Sequence, residues 1–131
     1  MGETLKKILY VEDEADIRTI AEVALQSVGG LEVMMCTSGA EAIEKAAAFG
    51  PDIVLLDVMM PVMDGSDTLE ALRKIPGLEN TPAVFLTAKA MPSEIKRYRE
   101  LGVLDVIAKP FDPMTLADQV REIWDRRGDE G

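Results

Sequence analysis

Glu12-Asp13, Asp57, Thr87 and Lys109 are three acids, a hydroxyl and an amine, and each follows directly on a short apolar run. Two carboxylates about 4 Å apart repel by about 4 kcal/mol at an effective dielectric of 20. If these groups meet, something positive must sit among them. Lys109 supplies one charge, and a hard divalent cation would supply two. Mg²⁺ takes oxygen ligands and binds through one or two carboxylates with phosphate and water. Zinc would want Cys or His. Taken singly, each residue has an ordinary structural reading. An Asp at a strand end often caps the next helix, and a lone Thr or Lys there is unremarkable. The weight lies in their coming together.

The elements that must position them alternate along the chain. Apolar runs at Ile8–Val11, Ile53–Leu56 and Ala83–Leu86 predict strands buried on both faces, and Val103–Ala108 reads as the last strand. Leu31–Cys36 reads as a strand too, and Glu32 suits it to a sheet edge. Between the strands, apolar residues recur at helical spacing. The first set is Ile17, Ile20, Ala21, Ala24, Leu25 and Val28, stopped by Gly29-Gly30. Ser38 with Glu41 three residues on predicts a capping box for a helix reaching Gly50-Pro51. Asp64-Gly65 opens a third helix through Leu69 and Leu72, ending near Pro76-Gly77. A short polar helix follows, capped by Ser93, with Ile95, Tyr98 and Leu101 on one side and Gly102 at its end. The last carries Leu116, Val120, Ile123 and Trp124 inward. This is a βα unit five times over, an α/β three-layer sandwich with a parallel sheet. All the strand ends bearing chemistry then lie on one edge, where open α/β sheets bind ligands.

The chain has 131 residues, the length of one domain, with its core over about 6–126 and a frayed tail over 127–131. It is 47% apolar and poor in aromatics, so aliphatic residues and most of its 8 Met must fill the interior. The net charge of −10 argues against direct nucleic-acid binding. A single cysteine, Cys36, excludes an internal disulfide and reads as a small buried residue. The absence of His removes Ser-His-Asp enzymes, His-ligated zinc and any phosphohistidine on this chain. No apolar run approaches the ~18 residues of a membrane span, and no signal peptide is visible. The expectation is a cytoplasmic protein with no membrane contact.

Glu12-Asp13, Asp57 with Met60-Pro61 and Asp64-Gly65, Thr87-Ala88 and Lys109-Pro110-Phe111 resemble the receiver domain of bacterial two-component response regulators, and the likeness covers about 6–126. The resemblance implies a flavodoxin-like fold with strand order 2-1-3-4-5. It implies that Asp57 takes a phosphoryl group from a phosphohistidine on a sensor histidine kinase or a histidine phosphotransfer protein. It places Mg²⁺ on Asp13, Asp57 and the backbone carbonyl of Met59, with Glu12 acting through water. Thr87 and Lys109 would bind phosphoryl oxygens, Ala88 leaves room for the donor, and the peptide before Pro110 would be cis. Such a protein is a phosphoacceptor rather than an enzyme proper, although it assists its own phosphorylation and dephosphorylation.

The family often has Tyr or Phe three residues before the strand-five Lys, and this chain has Val106. Val106 is too small and too stiff to swing inward as a ring would. The switch is therefore expected to act through the loop from Ala88 to Ser93 and the start of the fourth helix. Met59 and Lys89 hold the positions that influence the attacking water in relatives. Met59 cannot orient water, which points to slow self-dephosphorylation. A downstream protein partner is expected on the α4-β5-α5 face, where Lys96, Arg97, Arg99, Asp105 and Arg121 would form a basic patch, with the chain a monomer or weak dimer. A stand-alone regulator is the favoured form, with a receiver excised from a longer regulator as the alternative. Three rivals are weaker. An aspartate-nucleophile phosphatase of the haloacid dehalogenase type needs a second acid where Met59 stands. A P-loop enzyme needs G-x-x-x-x-G-K-[ST], which is absent. A pseudo-receiver would not keep all five groups.

Overall fold

Ile8 to Val11, Ile53 with Leu55 and Leu56, and Val84 to Leu86 are all completely buried. Strands covered on both faces require helices on each side of the sheet. The computed structural model describes residues 4–127. Its elements are β1 (Lys7–Val11), α1 (Ala15–Glu22, continued by a π turn over Val23–Val28), β2 (Glu32–Cys36), α2 (Gly39–Phe49), β3 (Ile53–Asp57), α3 (Gly65–Leu72), β4 (Ala83–Thr87), α4 (Pro92–Glu100), β5 (Asp105–Ala108) and α5 (Leu116–Arg126). The five strands are parallel in the order β2-β1-β3-β4-β5. This is the flavodoxin-like order, with β2 at an edge as Glu32 suggested.

The sheet separates two apolar clusters. Tyr10, Leu25, Leu55, Leu86, Ile107, Leu116, Val120 and Trp124 pack on the side of α1 and α5. Leu9, Val11, Ala42, Ala46, Leu56, Leu69, Phe85 and Tyr98 pack on the side of α2, α3 and α4. Phe85 and Tyr98 meet edge to face with centroids 5.3 Å apart. Among the described residues, no helix is long and apolar enough to cross a membrane.

Two helix starts follow their sequence signals. Ser38 accepts from the Glu41 N–H, and Glu41 reaches back to the Thr37 N–H. Asp64 accepts from the Asp67 N–H. Other expectations need correction. The first helix widens into a π turn, with the Gly29 N–H bonded to the Ala24 carbonyl at 3.1 Å. The wider turn rotates the residues it holds, and Val28 lies 48% exposed; Ile20, ahead of the turn, is also exposed at 45%. Gly29 permits this approach, because a Cβ there would lie 2.5 Å from the Ala117 Cβ. Ser93 does not cap α4. Met91 does so without a side-chain bond, and Pro92 takes the first helical position, where its missing N–H is harmless. Leu101 is exposed, and β5 begins at Asp105 rather than Val103. Arg126 is ordered at the end of α5, where it pairs with Asp105, and Arg127 lies over the Trp124 ring. The rest of the expected tail, 128–131, lies outside the described residues.

Candidate functional site

β1 delivers Glu12 and Asp13 just past its end, and β3 ends in Asp57 beside it. Side chains alternate along a strand, so Glu12 and Asp57 both face the α1/α5 side. Each of Glu12, Asp13 and Asp57 offers a carboxylate oxygen within 4.8 Å of the others. Lys109, following β5, sends its ammonium between two of them, 3.1 Å from Glu12 Oε1 and 3.3 Å from Asp57 Oδ1. Glu12 and Asp57 are buried, and Asp13 is the most accessible of the three acids. The Lys109-Pro110 peptide is cis.

Backbone groups fix the carboxylates. Glu12 Oε2 accepts from the Glu14 N–H at 3.3 Å, and Asp57 Oδ1 accepts from the Met59 N–H at 3.3 Å. Arg18 donates to the Glu12 carbonyl at 2.9 Å, tying α1 to the end of β1. Gly65 lets α3 start against the end of β3, because a Cβ there would stand 2.8 Å from the Asp57 carbonyl oxygen. Nearby Val62 is fully exposed and holds a φ of 67°, a strained conformation for a β-branched residue.

The charges are mutually dependent. Burial, then the bond and charge of Asp57, push Glu12 up to about 7, and Lys109 opposes that rise. Burial works against the Lys109 charge, but Glu12 and Asp57 outweigh it and hold the amine above the ordinary lysine range.

Thr87 is buried at the end of β4, but alternation turns it to the α2–α4 side of the sheet. Its Oγ1 accepts from the Lys89 N–H at 3.0 Å, which leaves the hydroxyl proton free to donate. Of the five groups the sequence brings together, the structure gathers four in one cluster and holds Thr87 at the same edge on the other face. Sequence reasoning missed Arg18, an unexceptional polar residue of α1, and Tyr10, which it counted as core. Alternation from Glu12 was the available signal for Tyr10.

The donor set suits a hard cation. Its side-chain donors are all carboxylate oxygens, and Asp13 is the most accessible of them.

The expected basic patch is smaller than the sequence suggested. Arg121 is half-buried and donates to the Gly29 carbonyl, locking α5 to the π turn. Arg97 pairs with Glu94, and Arg99 and Arg126 both pair with Asp105.

The sequence matches the response regulator receiver domain family over residues 8–121. It is 36% identical to a probable transcriptional regulator, ycf27, of Guillardia theta, over 95% of this chain and 47% of that protein. It is 33% identical to the transcriptional regulatory protein PrrA of Mycobacterium tuberculosis, over 97% of this chain and 53% of that one. The chain therefore spans about half the length of these curated relatives. Among solved structures, the chemotaxis response regulator CheY4 of Vibrio cholerae superposes with a TM-score of 0.83 and 32% identity, covering 92% of this chain and 99% of that one.

Proposed function

Because this chain belongs to the response regulator receiver family, we propose that Asp57 is its phosphoacceptor and that residues 1–131 act as a single receiver domain. The observation that carries this reading is the Asp57 carboxylate, buried among two other acids and held 3.3 Å from the Lys109 ammonium. A carboxylate oxygen of Asp57 attacks the phosphorus of a phosphohistidine. A P–O bond forms, the P–N bond breaks, and the imidazole leaves on the donor. Lys109 and the Thr87 hydroxyl meet the phosphoryl oxygens, and Ala88 leaves room beside them. Asp13, Asp57 and the Met59 carbonyl would hold Mg²⁺, with Glu12 reaching it through water. Bound there, Mg²⁺ would neutralise charge on the acids and the transferring group. The donor would be a sensor histidine kinase or histidine phosphotransfer protein in the cytoplasm. Incubation with acetyl phosphate should raise the mass by one phosphoryl group, only with Mg²⁺. No gain would leave a pseudo-receiver, and continuous phosphate release with no accumulation of the acyl phosphate would favour a phosphatase.

Met59 is 63% exposed beside Asp57, where its thioether shields the acyl phosphate and cannot orient water. The phosphorylated form should therefore be long-lived. Met59→Asn should shorten its half-life several-fold in a time course at constant pH, and an unchanged half-life would count against the shielding.

Output would pass through the loop after Thr87 to the α4-β5-α5 face and a downstream protein partner. Val106 is only partly buried against the α2–α4 cluster and has no ring to turn. Amide exchange with and without beryllofluoride, an acyl-phosphate mimic, should change over Ala88–Leu101. A change confined to the surroundings of Val106 would contradict this route.

A further inference from the structure

Tyr10 is completely buried, and its hydroxyl has no hydrogen-bond partner among the described residues. It stands opposite Leu55 in the β1–β3 pairing. Alternation puts it on the same sheet face as Glu12 and Asp57, one pleat repeat or about 7 Å below them. Burial raises its pKa far above the ordinary phenol range, and the charges of Glu12 and Asp57 add to the rise. Buried polar groups are nearly always paired, and leaving one unpaired is costly. Phenylalanine would fill the same space beneath α1 and α5 without that cost.

The resting site explains why the hydroxyl has nothing to bind. Lys109 already serves the Glu12 carboxylate at 3.1 Å, and its second bond goes to Asp57. Once Asp57 carries a phosphoryl group, the strongest acceptors lie on that group, further out along the strand axis. An ammonium drawn to them takes from the wholly buried Glu12 the direct donor to its Oε1, leaving the carboxylate with the Glu14 N–H and, when Mg²⁺ is bound, a metal-held water. Neither Glu14 nor Arg18 can replace it, because the first already donates its N–H to Oε2 and the second is bound to the Glu12 carbonyl.

We propose that Tyr10 is a positioning residue for the phosphorylated state, its hydroxyl donating to the Glu12 carboxylate when Lys109 turns to the phosphoryl group. This deepens the reading of Asp57 as phosphoacceptor and rests on it. The hydroxyl is a reserve donor. It makes no bond at rest and stabilises only the switched form, so it biases the equilibrium between them.

The test is Tyr10→Phe, with beryllofluoride and Mg²⁺ as the probe. Two measurements are taken on each protein: the urea midpoint of the free form and the affinity for beryllofluoride. The variant should match or exceed wild type in free-form stability, because it loses an unpaired polar group. Its beryllofluoride affinity should fall by about tenfold, the loss of one hydrogen bond to a charged acceptor. In wild type labelled at the tyrosine ring carbon bearing the hydroxyl, the Tyr10 resonance should move when beryllofluoride binds. Equal affinity in the two proteins overturns the proposal, and so does a stationary Tyr10 resonance. A free-form stability loss as large as the affinity loss also overturns it, since the hydroxyl would then be bonded at rest. Wild type that binds no beryllofluoride overturns the phosphoacceptor reading itself. Wild type that binds while the variant binds equally removes only the role of Tyr10.

Discussion

The Asp57→Asn protein should gain no mass from acetyl phosphate and Mg²⁺ under conditions that convert wild type. An amide nitrogen or oxygen is a far poorer nucleophile than a carboxylate. The substitution should also stabilise the free protein, on the order of 1 kcal/mol at neutral pH, because it removes one of two carboxylates sharing one ammonium. The pH dependence carries the same signature. Glu12 is raised from 4.5 to about 7 by burial and by Asp57. A raised acid contributes stability that is full below its unfolded value and is lost as pH rises through its folded value. Wild type should therefore lose stability between about 4.5 and 7, and Asp57→Asn should flatten that decline. Undiminished labelling of the variant would end the assignment of Asp57.

Lys109→Met should produce the largest stability loss of any single change in the site. It keeps the length of the side chain and removes its charge, leaving Glu12 and Asp57 facing each other. Breaking a buried pair costs about 3–5 kcal/mol. Glu12 can limit that cost by taking a proton, so a loss of about 2–3 kcal/mol is expected at pH 8. The deficit should shrink as pH falls towards about 7, where Glu12 takes its proton in wild type too, and level off below it, and added Mg²⁺ should raise the variant's melting temperature more than that of wild type. Labelling should slow as well, because a phosphoryl-binding charge is gone. An unfolding midpoint equal to wild type at pH 8 would show that the ammonium is not balancing the two acids.

The parts of this molecule legible in the sequence are those governed by short-range rules. Three strands, β1, β3 and β4, announce themselves as continuous apolar runs because both their faces are covered. Ser38 and Asp64 announce helix starts because a cap bonds to a residue three positions on. The cluster of acids with Lys109 was legible because strand ends of a parallel sheet share an edge. What escaped depends on packing between distant elements. The π turn exists where α1 meets α5, and only the contact between Gly29 and Ala117 reveals it. Arg121 sits at a helical position that reads as solvent-facing, yet its partner is a carbonyl on another helix. Ser93 is a good cap residue displaced by Pro92, whose ring suits the first turn better. Thr87 lies at the expected edge, but which side of the sheet it faces follows from the phase of β4, and the apolar run alone does not give that phase.

The double pairing of Asp105 with Arg99 and Arg126 gives α4 a fulcrum. Arg99 lies near the carboxyl end of α4, so that end is fastened through β5 to α5. The opposite end starts at Pro92 with no side-chain cap. A helix fastened at one end is a lever. From Pro92 to Arg99 the arm is about 10 Å, and a tilt of about 10° would carry its free end through roughly 2 Å. The displacement is greatest beside the phosphorylation edge and falls to nothing at the pivot. A partner that reads this domain through α4 gains most from gripping its first turn, and one that grips near Arg99 senses almost no motion.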